Sequence, residues 1–567
     1  MVLGYVALMS GLGVGLACVS CDCTQRLAIA IPLFLCVGWV GSRQVFRDTT
    51  VKAVTLYFIC LTTVMTLALW LSESDRIVQN KRPVIRETAI VVKEDSGEMK
   101  ELRREMHTYT EDIEYRGERF LDCWFTIVSA ACVTGLIVTD TAAMTGVGQV
   151  IILITIQAGG LGIIFFTSFI GFLVTRGEST RSHFDHLHAE ALDVEERFVG
   201  RMLQQVLQYT VVIEGTAILI LGSYYQWMAD PTPLKGINPW WWASFHAISA
   251  FNNAGFSIMS DNLCGFVTDV VVNLTIASLI ILGGLGYPVL IRLWVWLRVS
   301  LGGRNGKTTR LIEQLEVVQA SRLQTQIALQ GTVMLIKLGT VLPLIFDWNN
   351  PLMEKYAFYE RVLICFFQSV SARTAGFNTI DLGQLSVASA LVIIILMYIG
   401  TCPAGTGGGI KIPTVWLLFA YIWNWFREPF RHVVIRDWSG QDRMVHRDTM
   451  SAAIRLFFSS LLVLGVSTML ICIFEARFLS TPDPTFNYLN VVFEVVSGYG
   501  TVGDSRGFEG GVTSFAGIMT DDSKIVLNLT MLIGRIGPLT LLALIPWRKD
   551  FGAIDLLPEN IKKVQIG

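Results

Sequence analysis

The sequence has few charged residues for its length. Asp, Glu, Lys and Arg make up 16% of its 567 residues, whereas a soluble domain carries about 25%. The net charge is −2, which gives no electrostatic argument for binding nucleic acid. With a mean hydropathy of +0.53, the chain is predicted to lie in membrane lipid and to have no nucleic acid partner.

Patterns typical of metal, disulfide or nucleotide sites are also lacking. The eleven cysteines are mostly scattered, and Cys21 and Cys23 are the closest pair in the sequence. His183, His186 and His188 lie in a charged connection, where a solvated loop is commoner than a metal site. "GTGGGIK" (405–411) does not meet the spacing of a phosphate-binding loop. We expect no transition metal, no covalent cofactor and no enzyme.

Long apolar runs are abundant instead. A hydrocarbon layer of roughly 30 Å takes about 20 helical residues to cross. Candidate runs lie near 1–19, 28–42, 52–72, 147–175, 204–224, 268–297, 327–347, 386–424, 450–478 and 524–547. Because an unpaired backbone group in lipid costs several kcal/mol, we expect an all-α polytopic protein of the cell membrane.

Basic residues predict the orientation of the spans. They concentrate in 292–322 and 427–447, which are therefore predicted to be cytoplasmic. The alternation of spans then places the charged segment 74–120 outside, as an extracellular insertion.

One pattern recurs four times along the chain. A Phe stands ten residues before a Gly in "FTIVSAACVTG", "FHAISAFNNAG", "FFQSVSARTAG" and "FEVVSGYGTVG", which end at Gly135, Gly255, Gly376 and Gly503. Each string ends a short apolar stretch that lies between two long apolar spans. The short stretch is too short to cross the bilayer, so it is predicted to enter and leave on one side.

Four re-entrant stretches predict a shared central cavity. Irregular backbone at membrane depth is tolerated only where protein surrounds it or water fills the space beside it. Glycine is expected where the chain turns its carbonyls inward, because it reaches positive φ freely. Rings of carbonyl oxygens replace the hydration shell of a small monovalent cation. The repeated glycines therefore predict an ion filter.

Several strings carry a family resemblance. They are "VTGL" (133–136), "IQAGGLGI" (156–163), "NNAGFS" (252–257), "LGGLGYPVL" (282–290), "SARTAGFNT" (371–379), "GTGGGIK" (405–411), "GTVGDS" (500–505) and "GRIGPLTL" (534–541). With these strings the chain resembles the Trk/Ktr/HKT superfamily of potassium transporters, most closely the bacterial Trk/Ktr membrane subunit. The resemblance implies four helix–pore helix–helix repeats around a pseudo-fourfold central pore, with an N-terminal two-helix hairpin.

The resemblance also divides the chain. The implied parts are the hairpin 1–43, repeat 1 at 44–176 with the insertion 74–120, repeat 2 at 177–303, repeat 3 at 304–426, repeat 4 at 427–549 and a cytoplasmic tail at 550–567. The implied filter residues are Val133, Thr134, Gly135, Asn253, Ala254, Gly255, Thr374, Ala375, Gly376, Thr501, Val502 and Gly503.

Four acids follow the filter glycines. Asp140, Asp261 and Asp381 lie five or six residues past their glycines, where they are candidates to concentrate cations at an outer mouth; an ordinary solvated loop stays open as the alternative for each. Asp504 directly follows Gly503, where the family resemblance leads us to expect an apolar residue. We include it in the predicted mouth.

The run 386–424 is too long for one passage. Pro403 and several glycines break it at "GTCPAGTGGGIKIP" (400–413), because neither residue supports a continuous helix. The resemblance makes this break an intramembrane gating loop below the filter. The implied gate residues are Gly405, Thr406, Gly407, Gly408, Gly409, Lys411 and Arg535.

Arg535 lies within the apolar run 524–547. An arginine at a helix centre costs about 2.5–3.5 kcal/mol on insertion scales, so a partner must hold it. The resemblance places Arg535 beside the gating loop, where it is expected to bond loop carbonyls; an ion pair with Glu494 is the alternative. We expect Arg373 to brace the filter, and Glu214 and Lys337 to be structural or interfacial.

Together these features predict uptake of K⁺ across the plasma (inner) membrane, driven by the electrochemical gradient. The resemblance further implies a homodimer and a cytosolic ring of Rossmann-type nucleotide-binding subunits. The alternatives are a Na⁺-permeable or cation-coupled (Na⁺/H⁺ symport) relative, the pore subunit of a potassium pump, and a polytopic membrane enzyme.

Overall fold

The structure, a computed structural model, describes residues 50–537 apart from 75–76, 94–98, 117–118, 177–187, 228–231, 235, 303–321, 428–433, 437–439, 441, 446, 480–486 and 508–512. Several predictions lie outside the described residues: the hairpin 1–43 with its cysteine pair, the tail 550–567, and His183 and His186.

Helices follow one another in a fourfold order of outer helix, short helix and inner helix. The outer helices are Thr50–Ser72, His188–Trp227, Arg322–Phe346 and Arg447–Phe474. The short helices are Phe120–Ala131, Pro239–Phe251, Phe358–Ser371 and Tyr488–Gly500. The inner helices are Gly146–Arg176, Val270–Leu285, Val387–Tyr398 and Asp521–Ile536, and Ile412–Arg427 follows the third after a break. The predicted helical fold is confirmed, and the exact repeat boundaries stay a prediction.

The helices differ in whether they are long enough to span a membrane. By length and composition, three described helices qualify at Gln204–Trp227, Leu323–Phe346 and Thr449–Phe474. The short helices have 12 to 14 residues, which is about 18–21 Å at 1.5 Å per residue. They fall short of the ~30 Å hydrocarbon layer, as expected for stretches that enter and leave on one side.

The run 268–297, predicted as one apolar span, is bent. Val270–Leu285 and Tyr287–Trp294 meet at an angle of 108°, and the second helix continues to Gly302. Gly286 between them has φ of 82°, and Pro288 lies in the first turn of the second helix. Proline lacks the N–H that would continue the first helix but is tolerated at a helix start. The glycine and proline together explain the bend.

Two pairs of described strands accompany the helices, one of them in the insertion 74–120. Ile77–Lys93 pairs antiparallel with Met99–Arg116, with Ile77 opposite Arg116 and a register shift between Ile90 and Val91. A second pair joins Val434–Arg436 to Asp442–Met444. The remaining described elements are Thr141–Ala143, Thr232–Leu234, Cys264–Phe266, Pro351–Glu354, Leu382–Gln384, Ala476–Leu479 and Phe515–Ile518.

Buried carboxylates tie outer helices to inner helices. Glu73 accepts hydrogen bonds from the backbone N–H (3.1 Å) and hydroxyl (2.6 Å) of Thr145. Glu475 accepts from the same two groups of Thr520, at 2.7 and 2.8 Å. Asp347 at the end of outer helix 3 accepts from a backbone N–H just before inner helix 3, at 3.0 Å. The repeated bond fixes where three of the four inner helices begin, and the sequence did not lead us to these acids.

Candidate ion pathway

The central feature is a closed ring made by the four glycine motifs. These motifs are the residues 133–135, 253–255, 374–376 and 501–503. A Cβ on Gly255 would lie 2.6 Å from the carbonyl oxygen of Ala375 and 3.0 Å from the Cα of Gly376. Gly135 faces Gly255 in the same way, Gly376 faces motif 4, and Gly503 returns to Gly135. Each motif thus touches the next, and the fourth closes on the first.

The backbone of each motif has the same unusual conformation. φ is 57° at Val133 and 96° at Gly135, and 59° at Asn253 and 70° at Gly255. Motifs 3 and 4 repeat the pair of positive angles at their first residue and glycine. A non-glycine residue at positive φ is uncommon and persists only where its surroundings enforce it. The carbonyl oxygens that face the neighbouring glycines belong to Thr134, Ala254, Ala375 and Val502.

The short helices hold the motifs at their C-terminal ends. The N–H of Thr134 donates to the carbonyl of Ser129 at 2.7 Å, and the Ser129 hydroxyl accepts from the N–H of Gly135 at 3.0 Å. Ser497 accepts from Gly503 in repeat 4 at 3.1 Å. Because a helix C-terminus carries partial negative charge, four short helices ending at the ring favour a cation there.

An irregular segment, the inner loop (residues 399–411), lies against the first residues of the motifs. The N–H of Gly408 donates to the hydroxyl of Thr501 at 2.9 Å. The hydroxyl of Thr406 donates to the carbonyl of Phe251, in the last turn of short helix 2, at 3.2 Å. Backbone bonds from Cys402 and Thr406 to inner helix 2 measure 3.0 and 3.1 Å. The loop therefore contacts repeats 2 and 4 beside the ring.

Two basic residues bond the backbone of the inner loop, Arg535 from inner helix 4 and Lys411 from within the loop itself. Arg535, 5% exposed, donates to the carbonyl of Thr406 and, at 3.2 Å, to that of Gly159 in inner helix 1. Lys411 donates to the carbonyls of Gly407 at 2.6 Å and Gly408 at 3.3 Å. The positive charges thus bond backbone oxygens, as expected for Arg535.

Two further gate glycines and Glu494 make contacts that do not involve Arg535. Gly405 donates its N–H to the carbonyl of Cys402 at 3.2 Å, and Gly409 has φ of 66° beside Gly400. Glu494, the alternative partner of Arg535, instead accepts from the hydroxyl of Ser505 at 2.7 Å.

The other candidate polar residues lie behind the ring or outside it. Buried Arg373 donates to the hydroxyl of Thr332 in outer helix 3 at 3.3 Å. Glu214 accepts from the side-chain amide of Asn252, next to motif 2, at 3.3 Å. Lys337 is exposed on its outer helix.

The four predicted mouth acids are in three different environments. Asp261 and Asp381 are exposed, and Asp140 is half-buried and accepts from the hydroxyl of Ser260 in repeat 2 at 2.6 Å. Asp504 is only 1% exposed, unlike the open mouth position predicted for it. Its carboxyl accepts from the side-chain amide of Gln368, in short helix 3, at 2.8 Å.

Sequence reasoning did not identify Gln368 or the ion pair between Lys524 and Asp122. The pair joins inner helix 4 to short helix 1 at 2.9 Å, with side chains 3% and 0% exposed. Charged residues at the edges of apolar runs were a visible signal for the pair. Comparison of the repeats position by position would have singled out Gln368.

Comparisons with known proteins agree with the fold and the motifs. The family TrkH, described as cation transport protein, matches residues 49–547. The Ktr system potassium uptake protein B of Vibrio alginolyticus is 32% identical over 428 residues, covering 75% of this chain and 84% of that protein. The potassium/sodium uptake protein NtpJ of Enterococcus hirae is 31% identical, covering 74% and 84%.

A solved structure shares the fold. The crystal structure of the potassium transporter TrkH from Vibrio parahaemolyticus superposes with a TM-score of 0.63 at 16% identity, covering 96% of both chains. The family resemblance inferred from the motifs is confirmed. The prediction of a membrane transport protein rather than an enzyme is confirmed as well. Because the family match spans 499 of 567 residues, from 49 to 547, this chain belongs to the TrkH family of cation transport proteins.

Proposed function

We propose that the chain takes up K⁺ across the plasma membrane through the ring of glycine motifs. The observation that carries the proposal is the closed ring, in which each glycine faces a backbone carbonyl of the next repeat. A Ktr relative with 32% identity is named a potassium uptake protein. Carbonyl oxygens in such rings replace the hydration shell of the ion.

Permeation then requires no covalent chemistry. K⁺ approaches past the acids Asp140, Asp261 and Asp381, loses water among the carbonyls of the ring, and is stabilised by the C-terminal ends of four short helices. The membrane potential supplies about 2.3 kcal/mol per charge for each 100 mV, which drives accumulation without a pump.

The inner loop is proposed as the gate of this pathway. It bonds Thr501 of motif 4 and the end of short helix 2, and Arg535 bridges it to inner helix 1. A fixed positive charge beside the ion path opposes a passing cation. Opening would require Arg535 to release the Thr406 carbonyl so that the loop can move aside.

Regulation is proposed to come from other chains. Relatives of this chain are named as parts of a Ktr system, which supports a complex rather than a lone subunit. We infer a homodimer with a cytosolic ring of Rossmann-type nucleotide-binding subunits. Light scattering of the purified chain tests the dimer: a mass of two copies supports it, and a single copy contradicts it.

Na⁺ transport is the second candidate, because one relative is named a potassium/sodium uptake protein. Flux of K⁺ and Na⁺ into liposomes containing the purified chain distinguishes the two. K⁺ flux well above Na⁺ flux supports the proposal, and equal fluxes support the second candidate. Liposomes no more permeable than protein-free ones, with the gate variant Arg535→Ala also inactive, would contradict both.

A further inference from the structure

Asp504 and Gln368 form a polar contact between two repeats at a place that is apolar elsewhere. Asp504 is the residue after the glycine of motif 4, and the residues after the other three glycines are Leu136, Phe256 and Phe377. All three are buried, at 0 to 1% exposure. Repeat 4 alone has a carboxyl group at this position.

Gln368 stands out in the same comparison. It lies eight residues before the glycine of motif 3, and the equivalent residues of the other repeats are Ile127, Ala247 and Val495. These are also fully buried. The two polar exceptions among eight equivalent positions bond each other at 2.8 Å, across the boundary between repeats 3 and 4.

The hydrogen bonding indicates the protonation state of the carboxyl. Gln368 donates Nε2–H to Oδ2 of Asp504. The amide oxygen of Gln368 and Oδ1 of Asp504 have no partner, although both atoms are buried. An ionised carboxylate with one hydrogen bond in such a place is strongly disfavoured. A proton on Oδ1 of Asp504 makes this oxygen a hydrogen-bond donor. The amide oxygen of Gln368 can then accept its hydrogen bond.

The contact also lies where it can position the ring. Asp504 directly follows Gly503, whose Cα faces Gly135 and closes the ring. A side chain anchored to short helix 3 therefore fixes motif 4 relative to repeat 3. The residues at the equivalent positions of the other repeats are apolar, whereas here a directional hydrogen bond joins the two side chains.

We propose that Asp504 is a positioning residue that acts as a neutral acid, paired with Gln368, and that this pair sets the preference of the ring for K⁺ over Na⁺. The proposal rests on the proposed function. It differs from a mouth acid because a hydrogen bond, and not a negative charge, is required. Asn keeps the shape of the neutral acid and can both donate to and accept from Gln368, whereas Leu can do neither.

The test is the K⁺-to-Na⁺ flux ratio in liposomes for the wild type, Asp504→Asn, Asp504→Leu and Gln368→Leu. We expect Asp504→Asn to stay within about twofold of the wild type. Both Leu variants should lose roughly tenfold, about 1.4 kcal/mol, the scale of one buried hydrogen bond. Thr530→Val is the matched control, because it removes a buried hydrogen bond to Ser467 in the same repeat without touching the ring.

The outcomes separate this proposal from the proposed function. A wild type without K⁺ preference refutes the function itself. With that preference present, a tenfold loss in Asp504→Asn means that the charge is needed and overturns the proposal, as does an unchanged ratio in Asp504→Leu. If the Leu variants do not fold, the Asn variant decides: a ratio within about twofold of the wild type supports the proposal, and a tenfold loss overturns it.

Discussion

Replacing one glycine of the ring should reduce ion selectivity by an amount that follows from the structure. Gly255→Ser places a Cβ 2.6 Å from the carbonyl oxygen of Ala375 and 3.0 Å from the Cα of Gly376. Real Cβ atoms essentially never come within 3.0 Å of another heavy atom. Both contacts are backbone atoms of the next repeat, so the neighbouring motif must move.

The size of the effect has two sources. A residue other than glycine at φ of 70° costs roughly 1–2 kcal/mol. Because 1.4 kcal/mol is a tenfold change, release of that strain into the ring would lower the K⁺-to-Na⁺ ratio by roughly 5- to 30-fold. The displaced Ala375 carbonyl adds to this, so the lower figure is the minimum that we expect.

Substitutions at two other glycines of repeat 2 serve as controls that separate backbone strain from contact with the neighbouring motif. Gly236 has φ of 84° with nothing within 4 Å of its added Cβ, and Gly215 also has open space, with no positive φ. In the liposome flux assay, Gly236→Ser and Gly215→Ser should keep the wild-type ratio. A Gly255→Ser variant with an unchanged ratio, or a Gly236→Ser variant with an equal loss, would refute the reasoning.

Three further predictions concern the gate and the stability of the ring. Arg535→Ala should raise K⁺ flux without an activating partner, because the Thr406 carbonyl loses its bond; flux equal to the wild type would argue against the gate. Lys411→Met should leak less K⁺ than Arg535→Ala, because Lys411 bonds only carbonyls of its own loop and does not tie the loop to another helix. A larger K⁺ leak would mean that Lys411, and not Arg535, holds the gate closed. Lys524→Met should lower stability by about 3–5 kcal/mol, since it removes the 2.9 Å partner of buried Asp122 and leaves only the 4.0 Å contact with Arg119. Adding Asp122→Leu should restore the melting temperature in detergent; no recovery would contradict this account.

The sequence predicted the elements that have a strong period or a repeated string. Four glycines at nearly equal spacing predicted the short helices and their motifs, since no ordinary set of helix ends repeats so regularly. Arg535 was predictable because a charge in an apolar run needs a partner. "GRIG" and "LGGLG" are explained by close approach: the added Cβ of Gly534 would overlap the carbonyl of Tyr499, and that of Gly283 the carbonyl of Phe251.

Other features depend on contacts between repeats, which local sequence does not reveal. Asp504 was grouped with the three other acids of the predicted mouth, yet it is buried and bonds Gln368 of another repeat. The bend at Gly286 was missed because the apolar run continues through it. The bonds of Glu475 to Thr520 join residues 45 apart in the sequence, so local sequence does not reveal them.

The measurement that tests the central claim most directly is the position of bound Rb⁺, as a substitute for K⁺, from its anomalous scattering in crystals of the protein. The ring predicts a peak on the common axis, coordinated by the backbone carbonyls of Thr134, Ala254, Ala375 and Val502. Peaks only beside surface acids such as Asp261 and Asp381, with no density on the axis, would contradict it.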